Sequence, residues 1–222
     1  MKVLAVSGLA RVGKDTFCSI AINILAKNGI NAKRYSFAEQ LKKEVAPFLH
    51  DMCRVSPWTT DEETKKDIRD FLVWYGTTFW RKRDPKRWIR GVDTQIKVDA
   101  NDVDIAHDVD VAIITDVRYP NEAEWVHSLG GYLIHISAWR MASYGECHDM
   151  GGGDFNETKK FFEAPNEQER INDPLVKEMS DYKSEWKSKG LTPGQAIEDI
   201  DFKMEVREAL DSCAWFTDAL FL

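Results

Sequence analysis

Near the start of the chain, Gly8-Leu9-Ala10-Arg11-Val12-Gly13-Lys14-Asp15-Thr16 sets a lysine directly after the second of two glycines. That spacing suits the holding of phosphate. Glycines let backbone N–H groups turn inward around phosphate oxygens, and a helix starting there adds the positive end of its dipole. A lysine at this point reaches the outer phosphates of a nucleoside triphosphate. The departure is Asp15, where a serine or threonine hydroxyl usually holds Mg²⁺. A carboxylate is also an oxygen ligand for Mg²⁺, and Thr16 supplies a hydroxyl one step on.

Three further segments carry groups able to handle phosphate or a base. In Tyr35-Ser36-Phe37-Ala38-Glu39-Gln40-Leu41-Lys42, Ser36 and Lys42 could sit near a phosphate and Phe37 against a base. Taken alone, the same segment also reads as a capping serine and a core phenylalanine. Residues 69–88 interleave Arg69, Arg81, Lys82, Arg83, Lys86 and Arg87 with Trp74, Tyr75, Phe79, Trp80 and Trp88. Arginines fork onto phosphate oxygens while aromatic rings stack on bases, although an amphipathic helix with a solvated basic face has the same pattern. In Thr115-Asp116-Val117-Arg118-Tyr119-Pro120-Asn121-Glu122, Asp116 ends an apolar run, as a Mg²⁺-holding or acceptor-contacting carboxylate would. Arg118 follows within reach of transferring phosphates.

The elements that must position these groups follow from pattern. Lys2–Ser7 and 109–117 are apolar runs expected as buried parallel strands, with Ala32–Phe37 and Tyr132–Ser137 as further strands. Helices are expected over 16–27, after Phe37, over 65–81, over 88–98, from Pro120 to Val126, and over 193–210. A short helix is expected over 157–162 and an edge strand over 181–186. Strand and helix alternate as in an α/β protein, a three-layer P-loop NTPase fold with a central parallel sheet and helical insertions. The candidate site residues fall at the strand ends where open α/β sheets bind ligands. One domain spans 1–222, with a helical acceptor-binding insertion over about 51–100 and a lid over about 140–180 that includes the Gly151–Gly153 run.

Composition narrows the chemistry further. The 222 residues carry 30 Lys and Arg against 37 Asp and Glu, a net charge of −7, which argues against coating duplex nucleic acid through a basic face. The four cysteines and five histidines show no zinc-ligand spacing, and free thiols are expected. No apolar stretch is long enough to span a membrane, and the opening Val3–Val6 run is too short for a leader, so a cytoplasmic location is expected. The guanine-reading NKxD string of GTPases has no good counterpart: Thr64-Lys65-Lys66-Asp67 starts with threonine and opens a helix.

The strings GLARVGKDT, SFAEQLK, the 72–88 block with Gly76-Thr77, Arg81 and Trp88, and above all ITDVRYPNEAEW resemble the deoxynucleoside monophosphate kinases of tailed bacteriophages. The resemblance runs from residue 2 to about 140; beyond it, Asn166-Glu167-Gln168-Glu169 and Ser180-Asp181-Tyr182 are similar to that family's acidic lid segment and final strand. It implies that Arg11, Gly13, Lys14, Asp15 and Thr16 bind ATP and its Mg²⁺. It implies that Ser36, Phe37, Lys42, Arg69, Arg81, Trp88, Asp116, Arg118 and Glu122 line the acceptor site, with Lys14, Arg81, Asp116 and Arg118 catalytic. The implied partners are small nucleotides, in the cytoplasm of a host cell if the gene is a phage's, with a homodimer left open. Two alternatives stand beside it: a related kinase that phosphorylates a hydroxymethylated base, such as 5-hydroxymethyluridine, in DNA, and a nucleotide-binding switch without turnover.

Overall fold

The computed structural model describes residues 1–101, 109–141 and 159–219. The Gly151–Gly153 run and Cys147, which the sequence reading named, lie outside the described residues. The chain divides into two compact units, one formed by Met1–Arg34 with Val109–Leu222 and the other by Tyr35–Asp108.

The first unit is built on a sheet. Its centre is β1 (Lys2–Ser7), flanked in parallel by β3 (Val111–Val117) and β4 (Tyr132–Met141). β2 (Ala32–Tyr35) lies beyond β3, and β6 (Tyr182–Lys187) runs parallel to β4 on its far side. The strand order therefore reverses at β1, and the end of that strand is the topological switch point where such sheets bind ligands. β3 is buried along nearly its whole length, as a strand covered on both faces must be.

Helices cover both faces of this sheet. On one side α1 (Lys14–Lys27) brings Phe17, Ile20 and Leu25 against Leu4, Val6, Ile113 and Ile136. After β6 come α7 (Pro193–Glu198), α8 (Ile200–Asp211) and α9 (Ala214–Ala219), and Val206, Leu210 and Phe216 complete the same core. On the other side lie α5 (Pro120–Ser128) and α6 (Glu167–Met179), with Ala123, Val126 and Val176 buried. The three-layer α/β architecture read from the sequence is the observed one.

Several expected elements differ. The helix expected over 157–162 is replaced by a short strand, β5 (Lys159–Phe161), because Met141–Trp139 offers an antiparallel edge for it. Pairing with a neighbour outweighs the local preference of so short a segment. The helix α6 was not foreseen. The single closing helix over 193–210 is two helices, broken at Asp199, whose extended backbone ends α7 and whose carboxylate accepts the N–H groups of Asp201 and Phe202 at the start of α8.

The second unit is helical and begins at Tyr35 rather than near residue 51, because α2 (Phe37–Cys53) packs with the helices that follow. Val45 and Leu49 of α2 close on Ile68 of α3 (Glu62–Val73). The helix expected over 65–81 changes character at Trp74, continuing to Arg81 as a wider π-helix. There Tyr75 and Phe79 stack with ring planes 7° apart and centroids 5.9 Å apart. The unit closes with α4 (Arg87–Asn101), whose Trp88 indole donates to the Gly76 carbonyl at 3.1 Å.

Candidate active site

Between β1 and α1 the chain makes the turn that its glycines allow. Gly8, Arg11 and Gly13 have φ values of +127°, +68° and +98°. Gly8 has no alternative, since a Cβ there would stand 2.2 Å from the carbonyl oxygen of Ile136. Arg11 holds a left-handed conformation without being glycine, a strain that typically persists where function requires it. Gly13 leads directly into α1, whose N-terminus receives no side-chain cap. An uncapped N-terminus presents backbone N–H groups and positive dipole to an anion.

Lys14 lies within the turn. Its side chain is 9% exposed, and Nζ donates to the carbonyls of Gly8 at 2.8 Å and Leu9 at 2.6 Å. Burial, assisted by the Arg118 guanidinium, lowers its pKa to about 8, while Glu169, Asp116 and Asp15 act the other way. Those four groups thus lie within electrostatic reach of one ammonium.

They come from three parts of the chain. Asp116 and Arg118 come from the end of β3 and the residue just past it, where the chain leaves the sheet's carboxyl edge. Asp15 is on the first turn of α1 and forms an ion pair with Arg34 of β2 at 2.6 Å; Arg34 also donates to Thr115 Oγ1 at 3.1 Å. Glu169 reaches in from α6, where its Oε2 accepts the Ala10 N–H at 2.8 Å and its Oε1 meets Arg118 Nη1 at 2.8 Å. The structure therefore brings Lys14, Asp15, Asp116 and Arg118 around one turn, with the strained Arg11 on it and Thr16 in the first turn of the helix.

Glu122, expected in the acceptor site, is buried, and its Oε2 accepts the backbone N–H groups of Arg118 at 2.8 Å and Tyr119 at 3.1 Å. Those are the contacts of a helix-start cap that fixes the backbone at Arg118. Six expected site residues belong to the helical unit. Ser36 caps α2, accepting the Glu39 N–H at 3.3 Å, and Phe37 is buried in its first turn. Trp88 is buried with its indole bonded, Arg69 is exposed on α3, Lys42 is half-buried, and Arg81 is the last residue of the π-helix. Neighbouring cations are engaged inside the unit: Arg87 with Glu44 at 2.6 Å and over the Trp80 ring at 3.6 Å, Arg83 on the Phe79 carbonyl at 2.6 Å, and Arg90 with Asp84.

Arg34 and Glu169 were not singled out individually from sequence. Arg34 lies in a short strand with no motif around it. The Asn166-x-x-Glu169 spacing is a helix-start signature that could have found the missed helix, but not the carboxylate's inward partners.

The oxygen donors fit a Mg²⁺ carried on substrate phosphates, which needs only one or two protein carboxylates. Asp15, here paired with Arg34 at 2.6 Å, Asp116 and the Thr16 hydroxyl are the side-chain oxygens that would supply them. Among the described residues no cluster of three or more His, Cys, Asp or Glu side chains could hold a metal ion by itself. Cys18, Cys53 and Cys213 are free, and burial pushes the Cys18 and Cys213 thiols up to about 12. No described helix is long and apolar enough to cross a membrane.

Comparison with known proteins gives a distant likeness only. No family model and no curated protein matches the chain. Among solved structures, shikimate kinase from Acinetobacter baumannii, in complex with shikimate, is 10% identical with a TM-score of 0.40, covering 96% of this chain and 94% of its own. Shikimate kinase from Aquifex aeolicus is 13% identical with a TM-score of 0.34, covering 94% of this chain and 99% of its own. A sugar kinase from a Janibacter species is 13% identical with a TM-score of 0.35, covering 94% of this chain and 97% of its own. At this distance the likeness says nothing of activity.

Proposed function

We propose that the chain is a phosphotransferase that moves the γ-phosphoryl group of ATP to the 5′-phosphate of a deoxynucleoside monophosphate. The observation that carries the reading is Lys14, a cation buried in a glycine-bounded turn, its Nζ on the Gly8 and Leu9 carbonyls, with Asp116 and Arg118 within electrostatic reach. Such an arrangement neutralises and orients polyphosphate, and phosphoryl transfer demands little else. The resemblance of GLARVGKDT, SFAEQLK and ITDVRYPNEAEW to the phage deoxynucleoside monophosphate kinases supports the finer reading.

In this reading an oxygen of the acceptor phosphate forms the new bond to the γ-phosphorus as the bond to the β,γ-bridging oxygen breaks, and ADP departs. The acceptor oxygen is already ionised near pH 7, so no side chain need remove a proton. Lys14 exchanges its two carbonyl partners for phosphate oxygens, Arg118 carries charge on the transferring group, and the backbone from Gly8 to Thr16 holds the donor. Mg²⁺ bound to the phosphates, with Asp15, Thr16 and Asp116 as protein donors, would add charge neutralisation. We assign Ser36, Phe37, Lys42, Arg69, Arg81 and Trp88 of the helical unit to acceptor binding, with Arg81 also catalytic.

The test is a panel of acceptors with ATP and Mg²⁺: each deoxynucleoside and ribonucleoside monophosphate, and DNA with and without a hydroxymethylated base. Turnover of a free deoxynucleoside monophosphate, unaffected by added DNA, is expected. Phosphate uptake by hydroxymethylated DNA alone would give the chain the other acceptor and recast Asp116 as a general base. Nucleotide binding without turnover of any acceptor would leave a switch.

A further inference from the structure

Glu169 is a carboxylate only 6% exposed, at the mouth of the phosphate turn. A buried charge is costly unless its lone pairs are met, and these are met. Oε2 takes the Ala10 N–H at 2.8 Å; Oε1 takes Arg118 Nη1 at 2.8 Å and Asn166 Nδ2 at 3.3 Å. One side chain thus joins the front of the turn to the arginine that follows β3, 51 residues away in sequence.

The helix that carries it cannot easily rotate. Asn166 caps α6 by accepting the Glu169 N–H at 2.9 Å. One turn on, Asp173 Oδ1 meets the buried His135 Nε2 at 3.1 Å, and a turn later Lys177 Nζ donates to Ser137 Oγ at 3.1 Å. Both partners lie on β4, and Val176, next to Lys177, is buried. Three polar contacts at successive turns therefore fix the azimuth of α6 and, with it, the Glu169 carboxylate.

We propose that Glu169 is a positioning residue of the phosphate site: it pins the front of the turn through Ala10 and aims Arg118 at the transferring group. The inference rests on reading Gly8–Thr16 as a phosphate turn. Arg118 has five N–H donors, and its side chain is 43% exposed. With Nη1 anchored on Glu169, the guanidinium plane is set and its remaining donors can meet an anion without first being ordered. An arginine ordered beforehand stabilises charge in the transition state at no reorganisation cost, so the gain falls on kcat rather than on ground-state nucleotide binding.

Two measurements on the full chain test this. In the nucleotide-free protein, Glu169→Ala should speed hydrogen exchange at the Ala10 amide at least about tenfold; should that variant fail to fold, Glu169→Asp, one methylene short, should do the same. In turnover, Glu169→Gln should lower kcat about tenfold or more while shifting KM for ATP less than about threefold, and should cost almost nothing further in an Arg118→Gln background. Unchanged Ala10 exchange, or kcat losses that multiply in the double variant, would overturn the proposal. If the wild type turns over no acceptor, the kinase reading fails separately, and the Ala10 exchange still decides whether Glu169 holds the turn.

Discussion

Lys14 has its Nζ on two carbonyls of its own turn and a pKa lowered to about 8 by burial. Its useful form is the ammonium, which exists below that pKa. As pH rises through about 8 the free protein should lose the cation, and kcat/KM for ATP should fall by about tenfold per pH unit beyond it. A Lys14→Arg variant that keeps activity should show no such limb, because a guanidinium stays charged. Lys14→Ala should lower kcat about a hundredfold or more, the scale of removing one preorganised charge-stabilising donor; a kcat within a few-fold of wild type in a folded protein would remove Lys14 from the chemistry. At this scale the sequence was informative where spacing itself is the signal. The turn from Gly8 to Thr16 could be read because backbone geometry dictates which residues occupy it. Arg34 and the inward face of Glu169 could not, since each depends on a partner far along the chain, Asp15 and Ala10 respectively.

Elements were legible in proportion to their apolar pattern. β1 and β3 announce themselves as continuous apolar runs because both faces of each are covered. The helix α6 did not, because the face it turns inward carries Glu169, Asp173 and Lys177, with Val176 its one buried apolar side chain. A helix docked through polar contacts has no apolar stripe to find. The π-helix was hidden for another reason: its register is set by ring stacking and by a close approach at Gly76. A Cβ at Gly76 would lie 2.3 Å from Leu41 Cδ1. Gly76→Ala should therefore destabilise the helical unit by about 1–3 kcal/mol through overpacking, read as a shift in its unfolding midpoint, and Leu41→Ala in the same chain should recover part of the loss. Equal stability of Gly76→Ala and wild type would show that Leu41 yields without cost.

The two units differ in how much apolar material holds each together. The first buries a large cluster from Leu4 and Phe17 to Leu210 and Phe216, on one face of a multistranded sheet. The cluster at Val45, Leu49 and Ile68 in the helical unit has its edges formed by partly exposed rings such as Phe71 and Tyr75. Local opening follows buried apolar contact, so amides of α3 should exchange with solvent at a lower free energy than those of β1 and β3. Exchange at one common free energy would instead mark the chain as a single cooperative body. The boundary itself was hard to read because Tyr35 and Phe37 extend the apolar look of β2, while Ser36 between them turns the chain into α2.

Gly13 has one more neighbour of consequence. A Cβ on it would stand 2.9 Å from Cζ3 of Trp186, so the six-membered ring of the indole abuts the turn that leads into α1. The ring is 3% exposed, and its N–H is held by Ser184 Oγ at 2.8 Å. On the proposed reading that this turn binds phosphate, a buried indole pressed against it is an optical gauge of that event. The emission of Trp186 should change in intensity and wavelength as the local field changes, while rings far from the turn stay dark to it. Titrating nucleotide against wild type and Trp186→Phe would then read occupancy of the turn directly from light, without a label and before any acceptor is known.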